Sequence, residues 1–123
     1  MQLKNKQIVD AQPALDKMLN TALPAKQSYH IKKTLESVKK QATFLDEQRS
    51  ELIKKYGKEN KAGTYEIFGT DNEALKKFHS EFGSLLDLEE EIDVRKLTLD
   101  ELDRVELTAN ELESIEFMLK IEE

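Results

Sequence analysis

The chain has 123 residues, of which 38% are hydrophobic and 36% are charged, and this length is typical of one domain with a core of ordinary size. It contains no cysteine, which excludes disulfide bonds, thiolate zinc sites and a cysteine nucleophile. The N-terminus lacks the apolar run of a signal peptide, and no segment approaches the ~20 apolar residues of a membrane span. We therefore expect a cytoplasmic protein that makes no use of a membrane.

Charge is sorted along the chain. Residues 1–61 carry 13 Lys and Arg against 7 Asp and Glu, whereas residues 62–123 carry 6 against 18, and the overall net charge is −6. Two oppositely charged halves in so short a chain favour an interface, either between the halves or with a partner. We interpret the pattern as mutual packing of the halves, with a negative surplus left for solubility or for a basic partner.

The first 23 residues predict one helix. Asn5 is a candidate N-cap, and apolar residues follow on one side, namely Ile8, Leu15, Met18 and Leu19. Pro13 lies inside this span, so we expect the helix to be kinked there or to begin near Asp10. Leu23 and Pro24 then separate this helix from the next one.

A long helix is predicted over residues 24–56. Eight positions follow a heptad spacing of 4-3-4-3-4-3-4, namely Ile31, Leu35, Val38, Ala42, Leu45, Arg49, Leu52 and Tyr56. Pro24 suits the first turn, and Gly57 suits the C′ position after the last turn. A helix of this length would be roughly 48 Å long at 1.5 Å per residue, so it needs another element to pack on.

The packing partner is predicted over residues 71–88. Thr70 and Glu73 have the spacing of a capping box, and apolar residues then recur at 3-4-3 spacing, namely Leu75, Phe78, Phe82 and Leu85. Between the two helices, residues 57–63 are typical of a turn and residues 64–68 of a short strand. We expect the two helices to form a long antiparallel hairpin.

Residues 89–123 predict a small β/α unit. Two further capping boxes, Thr98 with Glu101 and Thr108 with Glu111, each open a short helix. A stretch typical of a strand precedes each box, at residues 92–97 and 104–107. The chain is therefore predicted to be a single α+β domain that is predominantly helical. It consists of an N-terminal helix region (1–23), the helical hairpin (24–88) and the β/α unit (89–123).

No arrangement of residues is typical of an active site. The two histidines, His30 and His79, lie on predicted helices without other metal ligands at suitable spacing, so we interpret them as surface residues. The acidic stretch 87–93 lacks the glycine and the alternating oxygen ligands of a calcium loop, which favours a solvated acidic edge. We expect no catalytic residue, no metal site and no cofactor, and therefore no enzyme.

The candidate partner-binding residues are charged. Lysines of the long helix form a solvated face outside the heptad seam, and we single out Lys32, Lys33, Lys39 and Lys40. Such a face suits a phosphate backbone, but it also suits pairing with the acidic end of the chain, which we favour. That end holds 14 acids against 4 bases over residues 87–123, which suits a basic partner or an acidic mimic of DNA. Its candidates are Glu89, Glu90 and Glu91.

Arg49 is the remaining candidate, because it is the only polar residue in the heptad seam. A cation in an apolar seam needs either a carboxylate partner or a route to solvent. One interpretation is that Arg49 meets an acid from the second half of the chain and sets the register of the hairpin. The other interpretation is that the seam opens at this position and Arg49 contacts a partner.

Four parts of the chain resemble a family of small proteins of unknown function from phages and prophages of Gram-positive bacteria. They are Leu3–Lys6, Ala14–Leu19 with Leu23–Lys26, Arg49–Gly57 and Leu112–Met118. Together they span nearly the whole chain, although no motif in them is diagnostic of chemistry. The resemblance implies a phage origin, and hence a site of action in the host cytoplasm or in association with the virion. It transfers no catalytic residue.

The expected function is a phage-encoded module for protein–protein interaction, either an assembly accessory or a modulator of a host protein. The long helix outruns the helix predicted to pack on it, so the remaining seam offers a surface for homodimerisation. The alternative is a nucleic-acid-binding protein that uses the lysine face.

Overall fold

The longest element of the fold is a helix of 32 residues, α2, which runs from Ala25 to Tyr56. The computed structural model describes residues 1–120, so the last three residues of the predicted β/α unit lie outside it. Pro24 occupies the N-cap position of α2, one residue before the first turn. The prediction of an α+β, predominantly helical fold built on this long helix is confirmed.

Helix α1 (Asn5–Leu19) packs against the first part of the heptad seam. The seam residues that are buried there are Ile31, Leu35 and Val38, and the α1 residues that are buried with them are Ile8, Ala11, Ala14, Leu15 and Met18. Helix α1 begins at Asn5 and continues through Pro13, so the predicted alternative of a start near Asp10 is wrong. Pro13 and Val9 are both exposed, so the carbonyl that loses its helical partner at Pro13 lies on the solvent side.

Asn5 is a buried residue in the first turn of α1, and the prediction that it caps this helix is wrong. The N-cap residue is Lys4, whose backbone N–H donates to Gln7 Oε1 at 2.9 Å. The side chain of Asn5 turns inward, where its amide donates to the carbonyl of Leu85 at 2.8 Å and accepts from Gln41 Nε2 at 3.1 Å. These two hydrogen bonds join α1 to the other two long helices.

A β-hairpin joins α2 to the next helix. Its strands, β2 (Lys58–Glu59) and β3 (Tyr65–Glu66), have two residues each. The strand predicted over residues 64–68 is therefore shorter, and it pairs with a strand inside the predicted turn. Asn60 holds the turn, because its Oδ1 accepts from the backbone N–H groups of Ala62 and Thr64 at 3.0 and 3.2 Å. We call this end of the molecule the hairpin tip.

Gly57 ends α2 in an extended conformation, with φ −92° and ψ −178°, so the left-handed C′ glycine that we expected is not formed. Glycine is needed here for a different reason. A Cβ atom at this position would stand 2.5 Å from the carbonyl oxygen of Glu66, which is closer than real contacts allow. The absence of a side chain lets β3 lie directly against the end of α2.

Helix α3 runs from Asn72 to Leu86 and contacts α2, as the hairpin prediction requires. Its N-cap is Asp71, whose carboxylate accepts from the backbone N–H of Ala74 at 3.1 Å. The predicted cap, Thr70, is one residue too early. A carboxylate at the positive end of a helix is a stronger acceptor than a hydroxyl, which favours Asp71 over Thr70.

Strand β4 (Glu89–Glu91) pairs antiparallel with β1 (Gln2–Lys4), and the sequence analysis missed this pairing. The strand predicted over residues 92–97 does not form. The N–H of Ile92 donates to the carbonyl of Met1 at 2.9 Å, Leu97 forms an isolated parallel bridge with Leu119, and between them the backbone bonds to side chains of α2. The N–H of Asp93 donates to Ser37 Oγ at 2.9 Å, and the N–H of Arg95 donates to Thr34 Oγ1 at 2.8 Å. Ile92 and Leu97, at the two ends of the segment, are 3% and 1% exposed, but they are an odd number of positions apart, so their burial does not follow the alternation of a strand.

The two capping boxes of the C-terminal unit are confirmed. The Thr98 hydroxyl accepts from the N–H of Glu101, whose carboxylate accepts from the N–H of Thr98, and Thr108 and Glu111 do the same. The first box opens a single 3₁₀ turn (Asp100–Leu102) and the second opens α4 (Ala109–Ser114), which ends in another 3₁₀ turn. The strand predicted over residues 104–107 is wrong, because Arg104 ends a turn after the first 3₁₀ segment, Val105 is a bend and residues 106–107 belong to neither a strand nor a helix.

The main hydrophobic core joins β1, α1, the first half of α2 and the C-terminal segment. The buried residues of the hairpin tip, Leu45, Ala74 and Phe78, stand outside that cluster. The hairpin tip is therefore covered by fewer elements than the rest of the molecule. Among the helices of residues 1–120, none combines the length and the apolar character needed to cross a bilayer.

Candidate functional site: a groove at the hairpin tip

The heptad seam of α2 opens at Arg49. Leu45, one turn earlier, is 1% exposed, whereas Arg49 is exposed and the next seam residues, Leu52 and Tyr56, are half-buried. Helix α1 covers the first part of the seam, and α3 covers its last part incompletely. Apolar surface of the long helix is therefore accessible from Arg49 onward.

An open groove of about 340 Å³ lies at this point between α2, β3 and α3, and we call it the tip groove. Its apolar wall is formed by residues that are buried or half-buried, namely Ile53, Ile67, Leu75 and Phe78. Its other lining residues are exposed, and they are Arg49, Tyr65, Glu66 and His79. An apolar floor with a few polar groups at the rim is the usual composition of a binding site.

Local contacts hold the walls of the groove in position. The Tyr56 hydroxyl donates to Glu81 at 2.5 Å, and Lys55 lies 3.5 Å from the same carboxylate, so the end of α2 is tied to α3. The hydrogen bond from Tyr56, aided by the charge of Lys55, holds the pKa of Glu81 below its ordinary value. On α3, Phe78 stacks on Phe82 with ring centroids 5.7 Å apart, which fixes the aromatic part of the floor.

Arg49 forms no ion pair with any residue from 1 to 120, so no acid of the second half within the described residues is the partner that the first interpretation required. Helix α3 presents Leu75, Phe78 and His79 at this level, and Glu66 of β3 lines the same groove without approaching Arg49 closely enough to form an ion pair. The guanidinium instead reaches solvent at the edge of the groove. The contact of Arg49 with a partner, our other interpretation, stays a prediction.

The lysine candidates lie on the solvent side of the first half of α2. Lys32, Lys39 and Lys40 are exposed, and Lys33 lies over the ring of Tyr29 at 5.6 Å from its centroid. Arg95 approaches the same ring at 5.9 Å. Tyr29 is 53% exposed, so two cations lie near a partly solvated aromatic ring on this face.

The interpretation that the charged halves pair with each other holds at only a few places. Within residues 1–120, the close pairs between the halves are Lys17 with Glu111 at 2.7 Å, Lys55 with Glu81, and the N-terminal amine with Glu91. The lysines singled out above take no part in them, and the pair of Lys33 is with its helical neighbour Glu36 at 3.7 Å. The halves pack mainly through apolar side chains instead.

The acidic candidates lie in β4, apart from the lysines and from Arg49. Glu91 accepts from the side chain of Gln2 at 2.8 Å and binds the N-terminal amine, so it has a structural role in holding β1. Glu89 and Glu90 are exposed on the same short strand. The structure therefore distributes the predicted candidates over three surfaces, and Arg49 alone among them lines the groove.

The sequence analysis missed the other residues of the groove. Tyr65 was part of a predicted strand without a role, His79 was interpreted as an ordinary surface residue, and Leu75 and Phe78 were assigned to the hairpin core. The signal that pointed to the site was the polar residue in the seam. Tyr29 was also missed as the aromatic member of the lysine face.

Within the described part of the chain, no three His, Asp or Glu side chains lie close enough together to hold a metal ion. His79 packs edge-on against Phe78, with ring centroids 5.5 Å apart, and His30 packs in the same way against Tyr29. In comparisons with known proteins, no family model, no curated protein and no solved structure matches this chain.

Proposed function

We propose that this chain is a non-enzymatic protein-binding module of phage or prophage origin, and that it binds its partner protein in the tip groove. The single observation that carries the proposal is the opening of the heptad seam at Arg49 beside an apolar groove. A long helix that leaves part of its apolar side uncovered next to an exposed aromatic residue offers the contact area that partner proteins use.

The chemistry of the groove fits a protein partner better than a small molecule or a nucleic acid. Its lining is aliphatic and aromatic, and only Arg49 and Glu66 bring formal charges of opposite sign to its rim. Nucleic-acid sites combine many cations with stacking surfaces, which this groove lacks. In this proposal the module acts in the host cytoplasm, as an assembly accessory or as a modulator of a host protein.

One specific observation supports a second candidate function, binding of single-stranded nucleic acid by the lysine face. Tyr29 is 53% exposed with Lys33 and Arg95 near its ring, and single-strand binding sites combine exposed aromatic rings, on which bases stack, with nearby cations. Lys32, Lys39 and Lys40 extend the positive charge along the same helix. A duplex and single-strand titration over a salt series tests this candidate, since loss of binding with salt is expected to depend on these lysines.

The experiment that tests the main proposal is site-specific photo-crosslinking in host cells. A photoreactive phenylalanine analogue replaces Tyr65 in one variant and Tyr29 in the matched control, since both tyrosines are about half exposed but lie on different surfaces. We expect a discrete protein adduct from position 65 and none from position 29. Adducts from position 29 alone, or none from position 65, would contradict the proposal.

A second measurement tests whether the crosslinked protein binds in the tip groove. The crosslinked protein is identified by mass spectrometry, purified and titrated against the unmodified chain and against Ile53→Asp, which puts a charge on the apolar wall of the groove. We expect Ile53→Asp to weaken binding at least about tenfold, because a buried unpaired carboxylate is unfavourable in an apolar contact. Equal binding by both chains would show that the adduct was incidental.

A further inference from the structure

Going beyond the proposed function, we infer that the tip groove also binds a second copy of this chain, in a two-fold symmetric dimer. In that dimer Arg49 of each copy meets Glu66 of the other, and each Tyr65 enters the groove of the other copy. The inference rests on the proposed function in one respect only, namely that the tip groove binds protein.

The first observation is that the groove carries one free charge of each sign. Arg49 and Glu66 are both exposed, and neither forms an ion pair within residues 1–120. Glu66 accepts one long hydrogen bond of 3.4 Å from Asn60. A partner that carried charge of a single sign would leave one of these two groups without a counter-charge.

Two-fold symmetry satisfies both groups at once. In a symmetric dimer, if residue i of one copy contacts residue j of the other, then j of the first also contacts i of the second. One Arg49–Glu66 contact across the axis therefore implies a second, and the groove is electrostatically complementary to itself. Complementary charges of this kind set the partner and its orientation.

The shape of the surface also favours a symmetric dimer. Tyr65 is 45% exposed on one side of the groove, while Ile53 and Leu75 form a hollow beside it. The same surface thus carries an aromatic projection and an apolar recess. Aromatic side chains that enter apolar recesses at the centre of an interface supply most of the binding energy.

Charge reversal tests the dimer through sedimentation velocity of the full chain. Arg49→Glu alone and Glu66→Arg alone each place like charges opposite one another across the axis, twice per dimer. We expect each variant to raise the dimer dissociation constant at least about tenfold. An equimolar mixture of the two variants turns both contacts into attractive ones, so we expect a heterodimer within about threefold of the wild-type affinity. Circular dichroism checks that the variants fold.

The results that would overturn the inference are equally specific. One is a wild-type chain that stays monomeric up to about 200 µM. Another is a dimer whose dissociation constant is unchanged by both charge reversals. The third is an equimolar mixture of the two variants that dimerises as weakly as either variant alone. A monomeric chain that still crosslinks a foreign protein from position 65 would refute the dimer but support the proposed function. A chain that dimerises through the groove but gives no adduct with a foreign protein would support the dimer and refute the proposed binding of a partner protein.

Discussion

Gln41 donates a hydrogen bond of 3.1 Å to the side-chain oxygen of Asn5, which lies 36 positions earlier in the chain. Asn5 is 1% exposed, and its Nδ2 donates to the carbonyl of Leu85 at 2.8 Å. Its backbone N–H also donates to Leu88 at 2.9 Å. One buried amide therefore joins the start of α1, the middle of α2 and the end of α3, and it fixes the base of the hairpin whose tip carries the groove.

We expect Asn5→Leu to lower the free energy of unfolding by about 1–3 kcal/mol, because it removes both side-chain hydrogen bonds of a buried residue and leaves the half-buried amide of Gln41 without its acceptor. Urea unfolding measures the change. The matched control is Asn20→Leu, since Asn20 also donates to a helix carbonyl but lies exposed at the end of α1. A loss that is equal in the two variants would contradict the role given to Asn5.

The hydroxyl of Thr34 is the acceptor for the backbone N–H of Arg95, and Thr34 is 0% exposed. Thr34→Val keeps the shape and removes the acceptor, so we expect a loss of about 1–3 kcal/mol in stability and faster hydrogen exchange at the Arg95 amide. Thr43→Val, an exposed position on the same helix, is the control. Unchanged exchange at Arg95 in Thr34→Val would show that another group holds the segment.

Heptad spacing and capping boxes predicted most of the helical elements, because both signals are local in sequence. The β1–β4 ladder could not be predicted, because it joins residues about 90 positions apart and neither strand alternates clearly. The segment over residues 92–97 shows a further limit. Its apolar residues Ile92 and Leu97 are buried, but the choice between a strand partner and the hydroxyls of Ser37 and Thr34 depends on the tertiary fold.

Two glycines are expected to respond in opposite directions to substitution by alanine. At Gly57 a Cβ atom would meet backbone atoms of two segments, so we expect Gly57→Ala to destabilise the fold by about 1–3 kcal/mol. At Gly83, within α3, no atom lies within 4 Å of the new group, and we expect Gly83→Ala to stabilise the fold by about 0.5–1 kcal/mol. Thermal unfolding compares the two, and effects of the same sign would refute the account of Gly57.

Glu111 is expected to make stability depend on acid pH. A hydrogen bond from Lys17, followed by one from the N–H of Thr108, holds the pKa of Glu111 below its ordinary value of 4.5. A carboxylate whose pKa is lowered by folding stabilises the fold fully above its unfolded pKa, and this contribution is lost as the pH falls through the folded pKa. We therefore expect Tm to fall as the pH drops from about 5 to 3.

The variant Glu111→Gln should flatten this dependence, because the neutral amide keeps the shape but has no proton to take up. Glu113→Gln, an exposed position on the same helix, serves as the control and should keep the wild-type slope. Parallel slopes of Tm against pH in all three chains would contradict the assignment.

The candidate site was predicted only in outline. Arg49 marked the opening of the seam, because a cation at a heptad position can be recognised from the sequence alone. The walls of the groove come from β3 and α3, whose positions depend on the close approach at Gly57 and on the cap at Asp71. Charge sorting along the chain suggested extensive pairing of the halves, yet apolar packing decided the fold, since exposed ion pairs contribute little.

Titration calorimetry with the crosslinked partner compares Tyr65→Ala with Tyr29→Ala and tests whether that partner binds in the tip groove. The two substitutions remove the same side chain from similarly exposed positions, one in the tip groove and one on the lysine face. The account predicts that Tyr65→Ala weakens the affinity at least about tenfold and that Tyr29→Ala changes it less than about twofold. The reverse order would contradict it and would move the binding site to the lysine face.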